Sequence, residues 1–156
     1  MALTFDTRRP VGCYARADVT TTSGVKATML LADAVQEAGG KLYVLGGGWS
    51  IRRGGGPFQM ALAIKLEVPW TEANVRHAVV AELLTQDGPP AMMGGNPIRI
   101  EGKVEVGRPP GIPAGTALDA PMALNINGIQ LEPGGYRWQL SVDDEVVAEA
   151  SFLVMG

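Results

Sequence analysis

The sequence predicts an all-β domain, a β-sandwich of about seven to nine short strands. Apolar residues occupy every second position from Phe58 to Val68, and the same alternation returns in residues 98–106, 122–127 and 136–142. Glycine and proline clusters separate these runs at short intervals, as turns do. The chain shows no convincing long helical period, so alternation of period two is the main structural signal.

The segment 41–68 organises the rest of the chain. In Phe58–Val68 the large apolar residues point to one side, which predicts a strand with one buried face, and Ala61 and Ala63 point to the other side, which we expect to be open. Residues 42–45 are apolar at odd and even positions. This pattern predicts a strand that is covered on both faces, or one whose outer face meets another surface. The glycine triplets at 46–48 and 54–56 predict a bent strand and a hairpin loop.

The N-terminal half of the chain contains another predicted hairpin, in addition to the one expected around residues 54–56. We predict a strand over residues 26–35, a turn over residues 36–40 and a partner strand at Lys41–Leu45. Residues 1–24 have little periodicity and predict an extended arm, with one added strand near residues 11–19. The predicted domains are therefore this arm and a β-sandwich over residues 25–156.

The C-terminal segment carries a more specific cue. In residues 131–136, LEPGGY, Tyr136 opens an alternating strand, which resembles the tyrosine corner of immunoglobulin-like and fibronectin-like sandwiches. Residues 27–50, ATMLLADAVQEAGGKLYVLGGGWS, and residues 131–154, LEPGGYRWQLSVDDEVVAEASFLV, also resemble a family of small, functionally uncharacterised bacterial proteins. The resemblance covers about residue 25 to the end. It implies no catalytic residues, so it supports the fold alone.

Composition and charge limit the classes of function. The chain has 156 residues, a formal net charge of -3 and only two short basic pairs, at residues 8–9 and 52–53, which argues against nucleic acid as the main partner. Cys13 is the only cysteine, so no internal disulfide can form. The N-terminus has no apolar core of signal-peptide length and no window is long enough for a membrane span. These features predict a cytoplasmic protein without a membrane partner.

Catalytic and metal sites are not indicated. His77 is the only histidine and lies within a predicted strand, with no nucleophile elbow in the sequence. The acidic residues 143–145 could bind calcium through oxygen ligands, but an acidic hairpin turn is the simpler interpretation. The proline-rich residues 107–113 predict a crossing loop rather than a ligand for a polyproline-binding domain. We therefore expect no enzyme activity, no metal and no cofactor.

Four residues are candidates for contact with a partner or ligand. Arg52 and Arg53 lie between glycine triplets, where they could meet an anion or a partner's carboxylate, or be simply solvated. The glycines do not form a phosphate loop, because a strand rather than a helix follows them. Trp49 and Trp70 are the aromatic candidates for a small-ligand or carbohydrate site.

The favoured function is a non-enzymatic interaction or assembly module that forms a homo-oligomer or joins a larger complex. The low charged content, 19%, leaves room for a buried interface. The candidate interface residues combine apolar side chains of the arm with the outer positions of the strand at Lys41–Leu45: Leu3, Phe5, Tyr14, Tyr43 and Leu45. A small-ligand or carbohydrate binder and a decoration-type subunit of a phage or other particle remain alternatives.

Overall fold

The computed structural model describes residues 2–4 and 23–156. The described residues form thirteen strands, of which nine have five residues or more, and one short 3-10 turn at Trp70–Glu72. The strands are β1 Ala2–Thr4, β2 Lys26–Ala32, β3 Ala34–Ala38, β4 Lys41–Leu45, β5 Ile51–Arg53, β6 Phe58–Val68, β7 Arg76–Thr85, β8 Met92–Met93, β9 Asn96–Pro97, β10 Arg99–Glu105, β11 Leu118–Ile129, β12 Gly134–Val142 and β13 Glu145–Met155. The prediction of an all-β domain is confirmed for this part of the chain.

Two sheets carry most of the structure. The six-stranded sheet has the order β1-β10-β7-β12-β13-β5, and the three-stranded sheet has the order β11-β6-β2. Neighbouring strands are antiparallel, except that β5 runs parallel to β13. Two small hairpins, β3–β4 and β8–β9, complete the topology.

The two sheets share one apolar core. The inward residues of β6 are all buried, with Met60, Leu62, Ile64, Leu66 and Val68 fully so, as the alternation predicts. The six-stranded sheet contributes the fully buried Trp138 and Leu140, among others, to the same cluster. At about 25 cal/mol per Å² of apolar surface, burial of such side chains is the main force that holds the two sheets together.

The prediction that the outward face of β6 is open is wrong at its first half. Ala61 is 0% and Ala63 is 5% exposed, because the β3–β4 hairpin lies over them. Val35 of the hairpin is buried against these alanines and against Ala32 of β2. The small alanine side chains let the hairpin approach the sheet closely.

The first hairpin is present, with boundaries that differ from the predicted ones. The strand expected over residues 26–35 is broken at Asp33, so β2 pairs with β6 and only β3 pairs with β4. The turn is confined to Gly39 and Gly40, whose φ angles of 60° and 74° suit a two-residue hairpin. Strand β4 is not buried on both faces, because Tyr43, Val44 and Leu45 are exposed.

The second glycine triplet does not close a hairpin. β5 pairs with β13, whereas β6 belongs to the other sheet, so residues 54–57 cross between the two sheets. The triplet at 46–48 is bent as predicted. Its Gly46 and Gly48 have φ angles of 60° and 90°, and the Gly48 N–H donates to the Leu31 carbonyl at 2.7 Å. The chain therefore leaves β4 through a sharp bend that returns it to β2.

The start of the N-terminal arm adds a strand to a sheet edge. Ala2–Thr4 pairs antiparallel with β10 of the same chain, with Leu3 opposite Val104. These three residues therefore extend the sheet of their own chain, next to β10. Phe5, Cys13, Tyr14 and the strand expected near residues 11–19 lie outside the described residues.

Candidate functional site

The outer face of the β3–β4 hairpin exposes two large apolar side chains. Tyr43 is 58% and Leu45 is 69% exposed. They are two residues apart and therefore project from the same side of the strand, opposite Gln36 and Ala34 of β3. We call the outer positions Ala34, Gln36, Tyr43 and Leu45 the hairpin surface. It contains two of the residues that the sequence marks as interface candidates.

The hairpin is fixed to the sheet beneath it by polar contacts as well as by apolar packing. The Asn125 amide accepts the Val35 N–H at 3.1 Å and donates to the Val35 carbonyl at 2.8 Å. At the base of the hairpin, the Asp33 N–H donates to the carbonyls of Leu45 at 3.0 Å and Gly46 at 3.2 Å. Tyr43 and Leu45 are therefore presented on a fixed support.

Arg52 and Arg53 differ in their surroundings. The Arg52 guanidinium lies 4.8 Å from the centre of the Phe58 ring, and its side chain is half-buried. Such a cation–π contact stabilises the packing between β5 and the start of β6. Arg53 is exposed. Neighbouring residues of a strand point to opposite faces, so the two side chains project in different directions.

Trp49 is a packing residue rather than an open platform. Its ring meets Phe152 edge to face, with 5.7 Å between the ring centres, and it packs against the main core. Its indole nitrogen is buried and has no hydrogen-bond partner among the described residues. Trp49 is near the start of β6 and Trp70 follows its end. Eleven residues at about 3.3 Å per residue separate the two ends, so the tryptophans do not share a site.

Trp70 lines a groove at the far end of β6, which we call the Trp70 groove. Its volume is about 440 Å³, within the range of roughly 300–1,000 Å³ that small-molecule sites occupy. The lining residues are Gly24, Lys26, Glu67, Pro69, Trp70, Thr71, Gly115 and Ala117. Of the four sequence-predicted contact residues, only Trp70 lies in this groove.

The position of Trp70 is set by Arg108. The Arg108 guanidinium lies 4.7 Å from the centre of the indole ring and donates from Nη2 to the Trp70 carbonyl at 2.8 Å. The proline-rich crossing loop thus has a structural contact with the 3-10 turn. Its residue Arg108 holds both the main chain and the ring of Trp70.

A buried polar network beside the groove was missed by the sequence analysis. His77 is 3% exposed. Its Nδ1 lies 2.6 Å from Oδ2 of Asp143, and its Nε2 lies 3.2 Å from the Glu72 carbonyl. Both ring nitrogens face acceptors, which favours the doubly protonated imidazolium because only that form donates from both. The Glu72 carboxylate lies 4.0 Å from Nε2 and adds a second negative charge.

The pKa of His77 reflects opposing effects. Burial lowers it, but the hydrogen bond to Asp143, the Glu72 carbonyl and the charges of both carboxylates together raise the pKa of His77 above its ordinary value. Asp143 also accepts the Ala78 N–H at 2.9 Å through its other oxygen. The acidic turn at residues 143–145 therefore contributes a structural carboxylate to His77, and Asp143 has φ of 50°, as a two-residue turn requires.

The network also fixes one side of the Trp70 groove. The Glu72 carboxylate accepts the Gly24 N–H at 2.9 Å and the Ser23 hydroxyl at 3.3 Å. Gly24 is so close to Pro69 that an added Cβ would lie 2.9 Å from the proline ring. A single histidine in a strand gives no sequence signal for this arrangement, because its partners are 5 and 66 residues away.

Two structural features are absent from the described residues. Within residues 2–4 and 23–156, His, Cys, Asp and Glu form no group of three or more that could hold a metal ion. The same part of the chain contains no helix with the length and apolarity needed to cross a membrane.

The chain belongs to the family of unknown function DUF6941, whose model matches residues 27–155. This confirms the resemblance to an uncharacterised family on the segments 27–50 and 131–154. No curated protein matches the chain.

A solved structure gives a distant match. The Pseudomonas fluorescens alkylpurine DNA glycosylase AlkC bound to DNA containing an abasic site analog is 13% identical, with a TM-score of 0.48. The match covers 86% of this chain and 31% of that chain. The chain thus spans about a third of the length of that protein, and a likeness of this strength transfers no activity.

Proposed function

We propose that this domain is a non-enzymatic protein-interaction module that self-associates through the hairpin surface. The observation that carries the proposal is the exposure of Tyr43 and Leu45, at 58% and 69%, side by side on one face. Aromatic side chains provide much of the contact energy at protein interfaces. A tyrosine and a leucine in this position are suited to the centre of a small contact patch.

Rigid presentation supports this function. The Asn125 contacts and the hydrogen bonds of Asp33 hold the hairpin in place before any partner arrives. A preorganised surface loses less conformational entropy on binding than a flexible one does. Val44 is also exposed but projects from the opposite face of β4, beside Leu30, and lies outside the hairpin surface.

A second copy of the chain fits this surface for two reasons. The four residues of the hairpin surface are uncharged, and Lys41 is the one charged residue that shares their side of the β3–β4 ladder, so two identical surfaces meet little electrostatic repulsion. The Leu45 carbonyl accepts a hydrogen bond from the Asp33 N–H, so the main-chain groups of Leu45 point towards β3. In an antiparallel ladder, successive residues point their main-chain groups to alternate sides, so those of Leu42 and Val44 point towards the free edge of β4. That edge can pair with its own copy about a two-fold axis.

Light scattering on the purified protein tests the proposal. We expect the mass of a dimer or higher oligomer at micromolar concentration, and the monomer mass for the double variant Tyr43→Ser, Leu45→Ser with an unchanged melting temperature. Met92→Ser is the matched control, because Met92 is 53% exposed but lies on another hairpin. A monomeric wild-type protein at about 100 µM, or a double variant that keeps the oligomer mass, would contradict self-association through this surface.

The non-enzymatic part of the proposal rests on His77. Its two ring nitrogens are already engaged by Asp143 and the Glu72 carbonyl, and the ring is buried. A general base must reach a substrate proton, which this ring does not. The ligand-binding alternative retains Trp70 alone, because Trp49 is packed against Phe152.

We also propose that the fold is an immunoglobulin-like sandwich. The Tyr136 hydroxyl donates to the Glu132 carbonyl at 2.7 Å, four residues upstream, which is the hydrogen bond expected of a tyrosine corner. The ring of Tyr136 stacks on Phe152, with 5.7 Å between the ring centres. An experimental structure that shows this corner joining two Greek-key sheets would support the assignment.

A further inference from the structure

The Trp70 groove offers the chemistry that an uncharged sugar ring requires. Glu67 provides an acceptor, Lys26 a donor and Thr71 a hydroxyl that does both, around the indole of Trp70. A sugar hydroxyl is itself both a donor and an acceptor, and the less polar face of a sugar ring suits contact with an aromatic ring. We propose that this groove binds a neutral polyhydroxylated ring, such as a hexose at the end of a glycan.

The arrangement of charges favours a neutral ligand over an ion. Lys26 and Glu67 lie directly opposite each other on β2 and β6, so charges of both signs face the groove side by side. Arg108 is directed at the carbonyl and the ring of Trp70. The groove therefore has no cluster of one sign that would select an anion or a cation.

The groove is held in its shape by contacts outside it. Arg108 fixes Trp70, and Glu72 fixes the segment that contains Gly24 through hydrogen bonds at 2.9 and 3.3 Å. His77 in turn holds the main chain of Glu72. Such support is what a weak, shape-dependent contact with a sugar needs, because little binding energy is then lost in ordering the site.

This site goes beyond the proposed self-association and lies apart from the hairpin surface. The β6 residues beneath the hairpin are Ala61 and Ala63, whereas the groove involves Glu67 and the turn that follows β6. The double variant Tyr43→Ser, Leu45→Ser is therefore expected to bind sugar as the wild-type protein does. Failure of one proposal leaves the other unaffected.

Titration with methyl glycosides, followed by NMR of the tryptophan indole signals, tests the inference. The probes are methyl α-glucoside, methyl α-mannoside and methyl β-galactoside, with glucuronate as the anionic comparison. We expect at least one neutral glycoside to shift the Trp70 indole signal saturably at millimolar concentration, while the Trp49 and Trp138 signals stay in place. Glucuronate is expected to bind more weakly than its neutral counterpart.

Two conservative variants locate the contact. Thr71→Val and Glu67→Gln each change one polar group and are expected to weaken binding about threefold to tenfold, the range of one hydrogen bond, without lowering the melting temperature. Thr28→Val is the matched control, since Thr28 is an exposed threonine of β2 outside the groove. The inference is overturned if none of the three glycosides shifts the Trp70 signal below 100 mM, if glucuronate binds more tightly, or if Thr71→Val and Thr28→Val have equal effects.

Discussion

The outer face of the three-stranded sheet consists of two halves that differ in what covers them. In the covered half, Ala32, Ala61 and Ala63 lie beneath the β3–β4 hairpin and are almost inaccessible to solvent. In the open half, Lys26, Lys65, Glu67 and Asp119 lie on the same side of the same strands and face solvent or the Trp70 groove. Both halves follow one regular alternation along β6.

The difference between the halves arises from side-chain size and from one amide. Alanine leaves room for a second layer to come close, and Asn125 supplies two hydrogen bonds to the Val35 main chain in that layer. In the open half, Lys65 instead lies 3.7 Å from Glu67 and 3.3 Å from Asp119. Alternation along a strand thus reports the direction of a side chain, whereas its size and charge decide whether another element can cover it.

The largest expected effect is that of a charge placed in the covered half. Ala63→Asp puts a carboxylate at a position that is 5% exposed, where the neighbours are apolar. Burial of an unpaired charge is expected to reduce the free energy of unfolding by about 3–5 kcal/mol, or to separate the hairpin from the sheet. Urea denaturation followed by tryptophan fluorescence measures the loss.

The matched control for this substitution is Thr28→Asp in the open half. Thr28 is exposed and lies directly opposite Lys65, so the same new charge is solvated there and faces a cation. We expect a change within about 0.5 kcal/mol. Equal losses for the two variants would mean that the hairpin does not protect Ala63 in solution.

Removal of the amide contact is expected to have a smaller and more local effect. Asn125→Ala leaves the Val35 N–H and carbonyl without their partner, at a cost of about 1–3 kcal/mol. Hydrogen exchange should show faster exchange of the Val35 and Leu45 amides, with little change in the amides of β7 and β12. Asn127→Ala on the same strand is the control, because Asn127 is likewise an exposed asparagine but makes no hydrogen bond to the hairpin in the described part of the chain. Uniformly faster exchange in all strands would contradict a locally docked hairpin.

Features that are set by near neighbours along the chain could be predicted from the sequence alone. The inward residues of β6 were predicted correctly, because the direction of each side chain is set by the regular alternation along the strand. The hairpin at Gly39–Gly40 was found because glycine suits positive φ. The residue types within a few positions were therefore sufficient to predict where the strands lie and where this turn falls.

The features that sequence reasoning missed depend on distant partners. The cover over Ala61 and Ala63 comes from a hairpin that docks through Asn125, which is 90 residues from Val35. The parallel pairing of β5 with β13 and the link between His77 and Asp143 are likewise long-range. The partial burial of Trp49 against Phe152 also depends on a residue far along the chain, which its local sequence does not indicate.

The two halves are also expected to respond differently to pH. The covered half is held by apolar packing and an amide, neither of which titrates, whereas the turn beside the open half is held by His77 between Asp143 and Glu72. Because the pKa of His77 is raised in the folded state, its contribution to stability is fully present below about pH 6.5 and is lost as pH rises through the folded-state value.

Two measurements check this pH dependence. His77 is the only histidine, so its imidazole proton signal is unambiguous in NMR, and we expect its midpoint to lie above that of the urea-unfolded chain. The free energy of unfolding should fall between pH 6 and pH 9 by about 1.4 kcal/mol for each unit by which the pKa is raised. His77→Gln is expected to flatten this dependence. A folded-state midpoint below the unfolded one would contradict the imidazolium assignment.

The smallest expected effect belongs to the charged row of the open half. Lys65→Ala removes both ion pairs, at 3.7 and 3.3 Å, but the lysine side chain is 45% exposed and its partners are also solvated. Exposed ion pairs contribute little to the free energy of unfolding, because solvent screens the charges and because the side chains lose conformational freedom when they pair. We expect the melting temperature of Lys65→Ala to stay within experimental error of the wild-type value, and any residual difference to shrink when salt is added. A loss comparable to that of Ala63→Asp, persisting at high salt, would show that the open half is covered in solution by a partner or by another part of the chain, and that the contrast between the two halves does not hold.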